Sequence, residues 1–287
     1  MKKLAILIIL GLSIQGCIQT LAIRTVGGIM DYGLEAFNEE SDLRLAENAL
    51  SSNLKLLEAL IKGDPENASL LQLASQGYSA YALAFAEDDS AERAQLFYVR
   101  GRDYGLRILN QNAQFRAAFG ADLTTFQRAL QSLSASDVPA VFWTAFGWAG
   151  YINLARTDME AFAALPKVNA MMEFVLRKDP SYYYGGAHLF FGSFIASTPV
   201  ALGGKPEEAK KHFETALALN GGRFLMSYVY YAKTYAVQVQ DKQLFESLLE
   251  KIEEAPVDIL PEARLPNAVA KKKARLLRET IDELFME

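Results

Sequence analysis

The sequence contains little cysteine and histidine, and each scarcity limits what the protein does. Cys17 is the single cysteine among 287 residues, so no disulfide can form within the chain. His188 and His212 are the two histidines. Because neither has a cysteine or a second histidine close to it in the sequence, we predict that neither binds a metal ion. We expect no metal and no cofactor.

Catalytic motifs are also lacking. No Gly-x-Ser-x-Gly, His-Glu-x-x-His or Gly-Lys-Ser/Thr pattern occurs. The run at 203–206, Gly-Gly-Lys-Pro, has proline in place of the hydroxyl residue of a phosphate loop. Ser52 and Lys55 have Ser-x-x-Lys spacing without the companion motifs of β-lactamase-type enzymes. The sequence therefore predicts a protein that is not an enzyme.

Long apolar runs and basic tracts are missing too. The longest apolar run, Leu4 to Leu12, is too short for a membrane-spanning helix, which needs about twenty apolar residues. The net charge is −5, and the longest basic tract is Lys271–Lys273. These features argue against a nucleic-acid partner.

The N-terminus has the layout of a secretory signal. Two lysines precede the apolar run, and Ile-Gln-Gly-Cys at 14–17 resembles a lipobox, in which the cysteine accepts the lipid. We predict a signal peptide over 1–16 and lipidation of Cys17. Ile18 after the cysteine favours the outer membrane over the inner one, on the periplasmic side. The alternative is an ordinary signal peptide with an incidental cysteine.

The rest of the sequence predicts an all-α fold. Apolar residues recur at spacings of three and four, and sustained strict alternation is absent. Gly, Pro, Asn and Asp separate the periodic segments. The predicted helices span 20–37, 42–62, 67–86, 90–110, 122–132, 138–155, 158–178, 182–198, 206–219, 223–238, 241–254 and 267–285.

Helix pairs of similar length indicate a degenerate tetratricopeptide (TPR) pattern. Small residues at fixed offsets allow two helices to approach closely, and large residues fill the gap where they cross. The pattern is carried by Tyr81-Ala82 with Phe85, by Trp143 with Phe146-Gly147, by Phe191-Gly192 with Ala209, Phe213 and Ala216, and by Tyr231-Ala232 with Tyr235. We expect antiparallel helix pairs in a superhelical array.

These features predict four parts: the signal at 1–16, a lipid-anchored segment and first helix at 17–41, a TPR-like repeat domain at 42–266, and a C-terminal capping helix at 267–287. The last helix carries Lys271–Lys273, Arg275 and Arg278 on the side predicted to be polar. A terminal repeat element needs such a face. A basic helix that lies on a membrane surface is the alternative.

Five stretches, at 53–60, 141–148, 179–188, 203–213 and 265–271, resemble the T component of TPR-protein-associated tripartite ATP-independent periplasmic (TRAP) transporters. The resemblance extends from about Asp42 to Leu277. It implies a periplasmic lipoprotein that forms a homotrimer, with a water-lined hole through each subunit. It also implies binding to the solute-receptor (P) subunit of the transporter and help in delivering an apolar or organic-acid ligand.

Three consecutive tyrosines, Tyr182, Tyr183 and Tyr184, follow Pro180 at the predicted start of a helix. They cannot all face one direction on a helix, so at least one should be exposed or line a cavity. Their rings could cover an apolar ligand, and their hydroxyls could bond to water or to a polar head. The alternative is packing between neighbouring repeats.

Four further residues complete the candidates. Trp143 fits a packing position of the repeat and is predicted to be core, whereas Trp148 is the candidate for a cavity wall or a subunit contact. His188 follows the tyrosines and joins the predicted cavity set. Arg223 lies at a helix start, where a cation is unfavourable to the helix dipole. This hints at a carboxylate partner, either in the protein or on a ligand, and a plain surface arginine is the alternative.

Two functions stay open at this point. The first is a transport accessory that holds a solute receptor at a membrane through its lipid anchor. The second is a lipid-anchored TPR scaffold for assembly of the cell envelope or of outer-membrane proteins. The aromatic middle of the chain favours the first, because it suits an apolar cavity better than a charged peptide groove.

Overall fold

The computed structural model describes residues 32–155, 157–199 and 202–285. In those ranges the protein is helical without any strand, which confirms the all-α prediction. The first helices are α1 (32–38), α2 (Leu43–Gly63), α3 (Ala68–Tyr81), α4 (Ala91–Leu109), α5 (Ala113–Ala118), α6 (Leu123–Leu130), α7 (Val138–Leu154) and α8 (Met159–Ala163). They are followed by α9 (Leu165–Lys178), α10 (Tyr182–Ala196), α11 (Pro206–Asn220), α12 (Met226–Tyr230), α13 (Lys242–Glu254), α14 (Arg264–Glu279) and α15 (Ile281–Leu284).

Two helices continue into wider turns of π-helix. α3 is extended in this way by Ala82–Ala86, and α12 by Tyr231–Ala236. The predicted signal segment and Cys17 lie outside the described residues. Among the helices that are described, none combines the length and the apolar character needed to cross a membrane.

Short polar side chains decide where many helices begin. Asp42, Asn67 and Ser90 each accept hydrogen bonds from backbone N–H groups in the first turn of α2, α3 and α4. Those N–H groups have no partner within the helix, so the caps stabilise its start. The predicted starts at 42, 67 and 90 therefore agree with the structure to within one residue.

The prediction fails where a helix is short or broken. No helix is predicted between 110 and 122, yet α5 forms there because Asn112 caps the N–H groups of Gln114 and Phe115. The helix predicted over 158–178 is two helices, α8 and α9, which meet at Ala164. Pro166 in the first turn of α9 lacks the N–H that would continue the α8 hydrogen bonds.

From α2 to α11, each long helix packs against the next long helix in the sequence. α2 packs on α3, α3 on α4, α4 on α7, α7 on α9, α9 on α10 and α10 on α11. The small and large residues of the repeat pattern are buried in these contacts, among them Ala82, Phe85, Trp143, Gly192, Ala209, Phe213, Ala216, Tyr231 and Ala232. The TPR-like superhelix stays a prediction.

The C-terminal helix α14 returns to the start of the array. It packs on α12 and α13 and also contacts α2. Asn267 on α14 is fully buried; it accepts the backbone N–H of Leu225 and donates to the carbonyl oxygen of Arg223. One hydrophobic cluster therefore combines residues of α2, α3 and α4 with residues of α10 to α14.

One face of α14 differs from the prediction. Lys273, expected on the polar side, is only 6% exposed. Its ammonium group lies 2.9 Å from Asp88 and 3.3 Å from Glu87, both just after α3. A buried cation needs such partners, because burying an isolated charge is very unfavourable. The basic run thus serves in part to join α14 to the connection between α3 and α4.

Candidate functional site

The three tyrosines do not begin a regular helix, which corrects the prediction. The backbone of Tyr183 (φ 47, ψ 56), Tyr184 (φ 60, ψ 30) and Gly185 (φ 82, ψ 29) is left-handed. For a residue with a side chain this conformation costs about 1–2 kcal/mol. Such strain persists only where the surrounding structure enforces it, and it often marks functional sites.

Contacts with α11 hold this left-handed turn in place. The side-chain amide of Asn220 donates to the carbonyl oxygen of Tyr184 at 3.1 Å, and also to Ala216 and Ser227. A Cβ atom at Gly185 would lie 3.2 Å from the Cα of Ala216. Glycine is therefore required here both by the positive φ and by the closeness of α11.

The turn places two tyrosine rings in an aromatic centre. The Tyr183 ring lies 4.7 Å from Trp143 and 5.7 Å from Phe224, in edge-to-face arrangements. Tyr184 stacks on Phe224 at 4.5 Å. Tyr183 also packs against both hydrophobic clusters of the molecule. All three tyrosines are half-buried, and a ligand-binding role for them stays a prediction.

The hydroxyls at this centre stay neutral. Burial is the main cause that raises the pKa of Tyr183 and of Tyr230 well above the ordinary value, and the Glu87 carboxylate adds to the effect at Tyr230. Both side chains are nevertheless only half-buried. A neutral phenol in this position is a hydrogen-bond donor and acceptor at any physiological pH.

A polar group of side chains adjoins the aromatic centre. Glu87 accepts a hydrogen bond of 2.5 Å from the buried Tyr98 and pairs with Lys273. Burial works against ionisation of Asp88, but Lys273 and Lys272 hold the pKa of its carboxyl below the ordinary value. This group is not predictable from a local sequence pattern, because its members lie far apart along the chain.

Tyr182 faces a separate cleft. This cleft has a volume of about 580 Å³ and is bordered by Gln72 and Gln76 of α3 and by the start of α7. Burial raises the pKa of Tyr182 to about 12, and nearby N–H groups of Trp143 and Gln76 oppose the rise. The buried amide nitrogen of Gln72, which borders this cleft, has no hydrogen-bond partner.

The two tryptophans are both core residues. Trp143 is 3% exposed, which confirms the prediction for that residue. Trp148 is 8% exposed, packs against Phe119 with ring centres 5.8 Å apart, and lies beneath the Arg102 guanidinium. A cavity or subunit-contact role for Trp148 stays a prediction.

Two candidates remain, Arg223 and His188. Arg223 is exposed and has no ion pair within the described residues, so the expected carboxylate partner is not found in that part of the chain. His188 lies beside His212, with the two Nδ1 atoms 3.0 Å apart. The two histidines, 24 residues apart in the sequence, are therefore neighbours in the fold. The described residues contain no cluster of three or more His, Cys, Asp or Glu suited to a metal ion.

Comparison with known proteins places the chain in a family. A family model described as TRAP transporter T-component matches residues 39–285, nearly the whole chain. The chain belongs to this family. The T component is also similar to an uncharacterized protein of Treponema pallidum (strain Nichols), at 24% identity over 267 residues, which covers 88% of this chain and 83% of the relative.

Membership confirms the resemblance found in the sequence. It gives the T component an accessory role in TRAP transport and an association with such a transporter, which acts in the cell envelope. Four residues of the aromatic centre and of the polar group beside it were not predicted from the sequence: Phe224, Tyr230, Glu87 and Lys273. No local pattern marks them, since each acquires its neighbours from a distant helix.

Proposed function

We propose that this T component is a lipid-anchored periplasmic accessory that binds the solute-receptor (P) subunit of a TRAP transporter and passes its ligand through the aromatic centre. Cys17 would carry the lipid, with the outer membrane favoured, and the protein would act as a homotrimer. No nucleic acid or chemical reaction is part of this role.

The observation that carries the proposal is the placement of Tyr183 and Tyr230. Burial dominates the pKa of both hydroxyls, yet both side chains keep accessible surface. Tyr183 lies beside Trp143 and Phe224, and Tyr230 is close enough for Tyr183 to raise its pKa, so the two phenols lie together at the aromatic centre. Trp143 and Phe224 supply apolar walls there, and the phenols supply neutral hydrogen bonds. This combination suits a ligand with an apolar body and one polar end.

Receptor binding is tested by co-purification of the T component from cells of the producing organism after mild cross-linking. We expect a solute-binding receptor to be recovered with the wild-type protein. Recovery of envelope-assembly factors without a receptor would favour the scaffold function instead. Adjacent or fused genes for a TRAP permease and receptor would support the same conclusion independently.

Ligand passage needs a variant that leaves the fold intact. Tyr183→Phe keeps the ring and removes the hydroxyl, and we expect it to lower transport of the receptor's ligand while receptor binding is unchanged. Leu202→Ala, at an exposed position, is the matched control. Equal transport by Tyr183→Phe and wild type would assign Tyr183 to packing alone.

The anchor is tested separately. Mass spectrometry of the processed N-terminus should show a diacylated Cys17, and Cys17→Ser should release the protein from the membrane fraction. An unmodified cysteine in membrane-bound protein would exclude lipidation. Light scattering at micromolar concentration tests the trimer, and a monomer would count against it.

A further inference from the structure

The two histidines of the chain are brought together by the packing of α10 on α11. His188 and His212 are 24 residues apart, yet their Nδ1 atoms are separated by 3.0 Å. The ring centres lie 5.2 Å apart with an angle of 46° between the planes. Both side chains are half-buried, so water and small ions can reach them.

This distance has a chemical consequence. Two ring nitrogens can approach so closely only if one carries the proton and the other offers its lone pair. Burial, the main cause in both cases, lowers the pKa of His188 and of His212. Coordination through both Nδ1 atoms moves that proton to Nε2 of the same ring, so both rings would bind the ion as neutral imidazole.

The geometry suits a divalent transition metal. Metal–nitrogen bonds to histidine are about 2.0–2.1 Å long, so nitrogens 3.0 Å apart subtend an angle of roughly 95° at a shared ion. That angle is close to the 90° between neighbouring ligands in square-planar or octahedral coordination. A tetrahedral site needs the nitrogens a few tenths of an ångström further apart, which small ring rotations provide. Imidazole nitrogen favours copper, nickel and zinc over magnesium or calcium.

The surroundings limit the rest of the coordination sphere. The Phe191 ring lies 5.6 Å from His212 and shields one side of the pair. On α11, the charge of Glu208 raises the pKa of His212 and that of Lys211 lowers it. Glu208 itself pairs with Lys205 at 3.1 Å. Since no third metal-binding side chain joins the pair within the described residues, water would fill the remaining positions.

We propose that His188 and His212 form a binding site for one divalent transition-metal ion of the copper, nickel and zinc group. The ion would link α10 to α11 one turn after the strained tyrosine turn. This site does not depend on the transport role, and it uses none of the residues of the aromatic centre.

The chain offers a clean test because it has no other histidine. The protein is purified without a histidine tag, with Cys17→Ser to remove the one thiol, and is treated with a chelator. Titration with CuCl₂, NiCl₂ and ZnCl₂ should show one ion bound per chain, with MgCl₂ inactive. At roughly one hundred times Kd the ion should raise Tm by about 5 °C.

His188→Gln and His212→Gln should each weaken binding by more than about tenfold. Lys210→Gln, on α11 but outside the pair, should bind like the unmodified protein. Unchanged binding in both histidine variants would overturn the proposal. So would a Cu²⁺ electron paramagnetic resonance spectrum of the unmodified protein without splitting from two nitrogens. That spectrum decides the matter even if a variant fails to fold.

Discussion

Helix α7 and the start of α10 are both rich in aromatic residues and glycine, yet their backbone conformations differ. α7 is a regular helix, and Phe142, Trp143 and Trp148 on it are buried. At the start of α10 the backbone is left-handed, and Tyr183 and Tyr184 stay half-buried. Phe146 and Tyr151 on α7 are half-buried as well, so the two segments differ in backbone conformation and not simply in ring exposure.

The two regions also differ in what stabilises them. The rings of α7 gain stability from burial in a close-packed core. The tyrosine turn loses about 1–2 kcal/mol at each of Tyr183 and Tyr184 through its backbone. Contacts with Phe224 and the Asn220 hydrogen bond offset this loss. Strained turns that are held by their neighbours cluster at ligand-binding and active sites.

The largest loss of unfolding free energy is expected for a substitution on α7. Trp148→Ala removes a buried ring and should lower the free energy of unfolding by about 3–5 kcal/mol. Leu202→Ala, which changes an exposed side chain, should alter it by less than about 0.5 kcal/mol. Urea unfolding followed by circular dichroism measures both. A loss below about 1 kcal/mol in Trp148→Ala would mean that this ring does not serve the core.

The next largest effect is expected at the tyrosine turn. Gly185→Ala places a methyl group at positive φ and close to Ala216, so we expect a loss of about 2–3 kcal/mol. Gly203 has φ +88 with open space around it, and Gly203→Ala should cost about 1 kcal/mol. The difference between the two losses of unfolding free energy measures the cost of the close contact between Gly185 and α11. Equal losses would show that the turn does not depend on this contact.

Acid is expected to destabilise the packing of α10 more than that of α7. Burial lowers the pKa of His188 and His212 in the folded protein, so the unfolded chain binds more protons below about pH 6.5. Stability is thus complete above that pH and decreases as the pH falls through the folded-state values. The charges that act on the pair are Glu208 and Lys211 of α11.

Urea unfolding between pH 8 and pH 5, in the presence of a chelator, tests this expectation. We expect the decrease to be smaller than the loss in Gly185→Ala, and to flatten in His188→Gln. The same slope in the variant and the wild type would assign the pH dependence to other groups.

The smallest effect concerns one hydroxyl. The Tyr183 hydroxyl makes no hydrogen bond with another described residue, so Tyr183→Phe should change stability by less than about 0.5 kcal/mol. Tyr98→Phe removes a buried donor to Glu87 and should cost about 1–3 kcal/mol. Chemical denaturation of the two variants side by side measures the difference. A large loss in Tyr183→Phe would indicate that its hydroxyl stabilises the fold.

Local signals made much of the fold predictable. The caps at Asp42, Asn67 and Ser90 and the apolar stripes that follow them fix α2, α3 and α4 nearly to the residue. The burial of Trp143 also followed from its place in the repeat pattern. The split between α8 and α9 was missed, because periodicity continues across Ala164 although the backbone hydrogen bonds do not.

The site was predictable only in part. Tyr182, Tyr183 and Tyr184 were found because an aromatic run is visible in the sequence, but their left-handed backbone depends on α11. The pairing of His188 with His212 depends on helix packing between residues that no local pattern connects. The positions are visible in the sequence, whereas the contacts that give them a role come from tertiary structure.

The return of α14 to the start of the array also constrains how the protein folds. Lys273 meets Glu87 across 186 residues of sequence. Contacts between residues so far apart form late, because closing a long loop loses entropy before the contact is gained. The earlier helices can pack pair by pair as the chain emerges, but Glu87 and Asp88 have no cation until α14 arrives. The native state is therefore complete only after α14 has packed against the earlier helices.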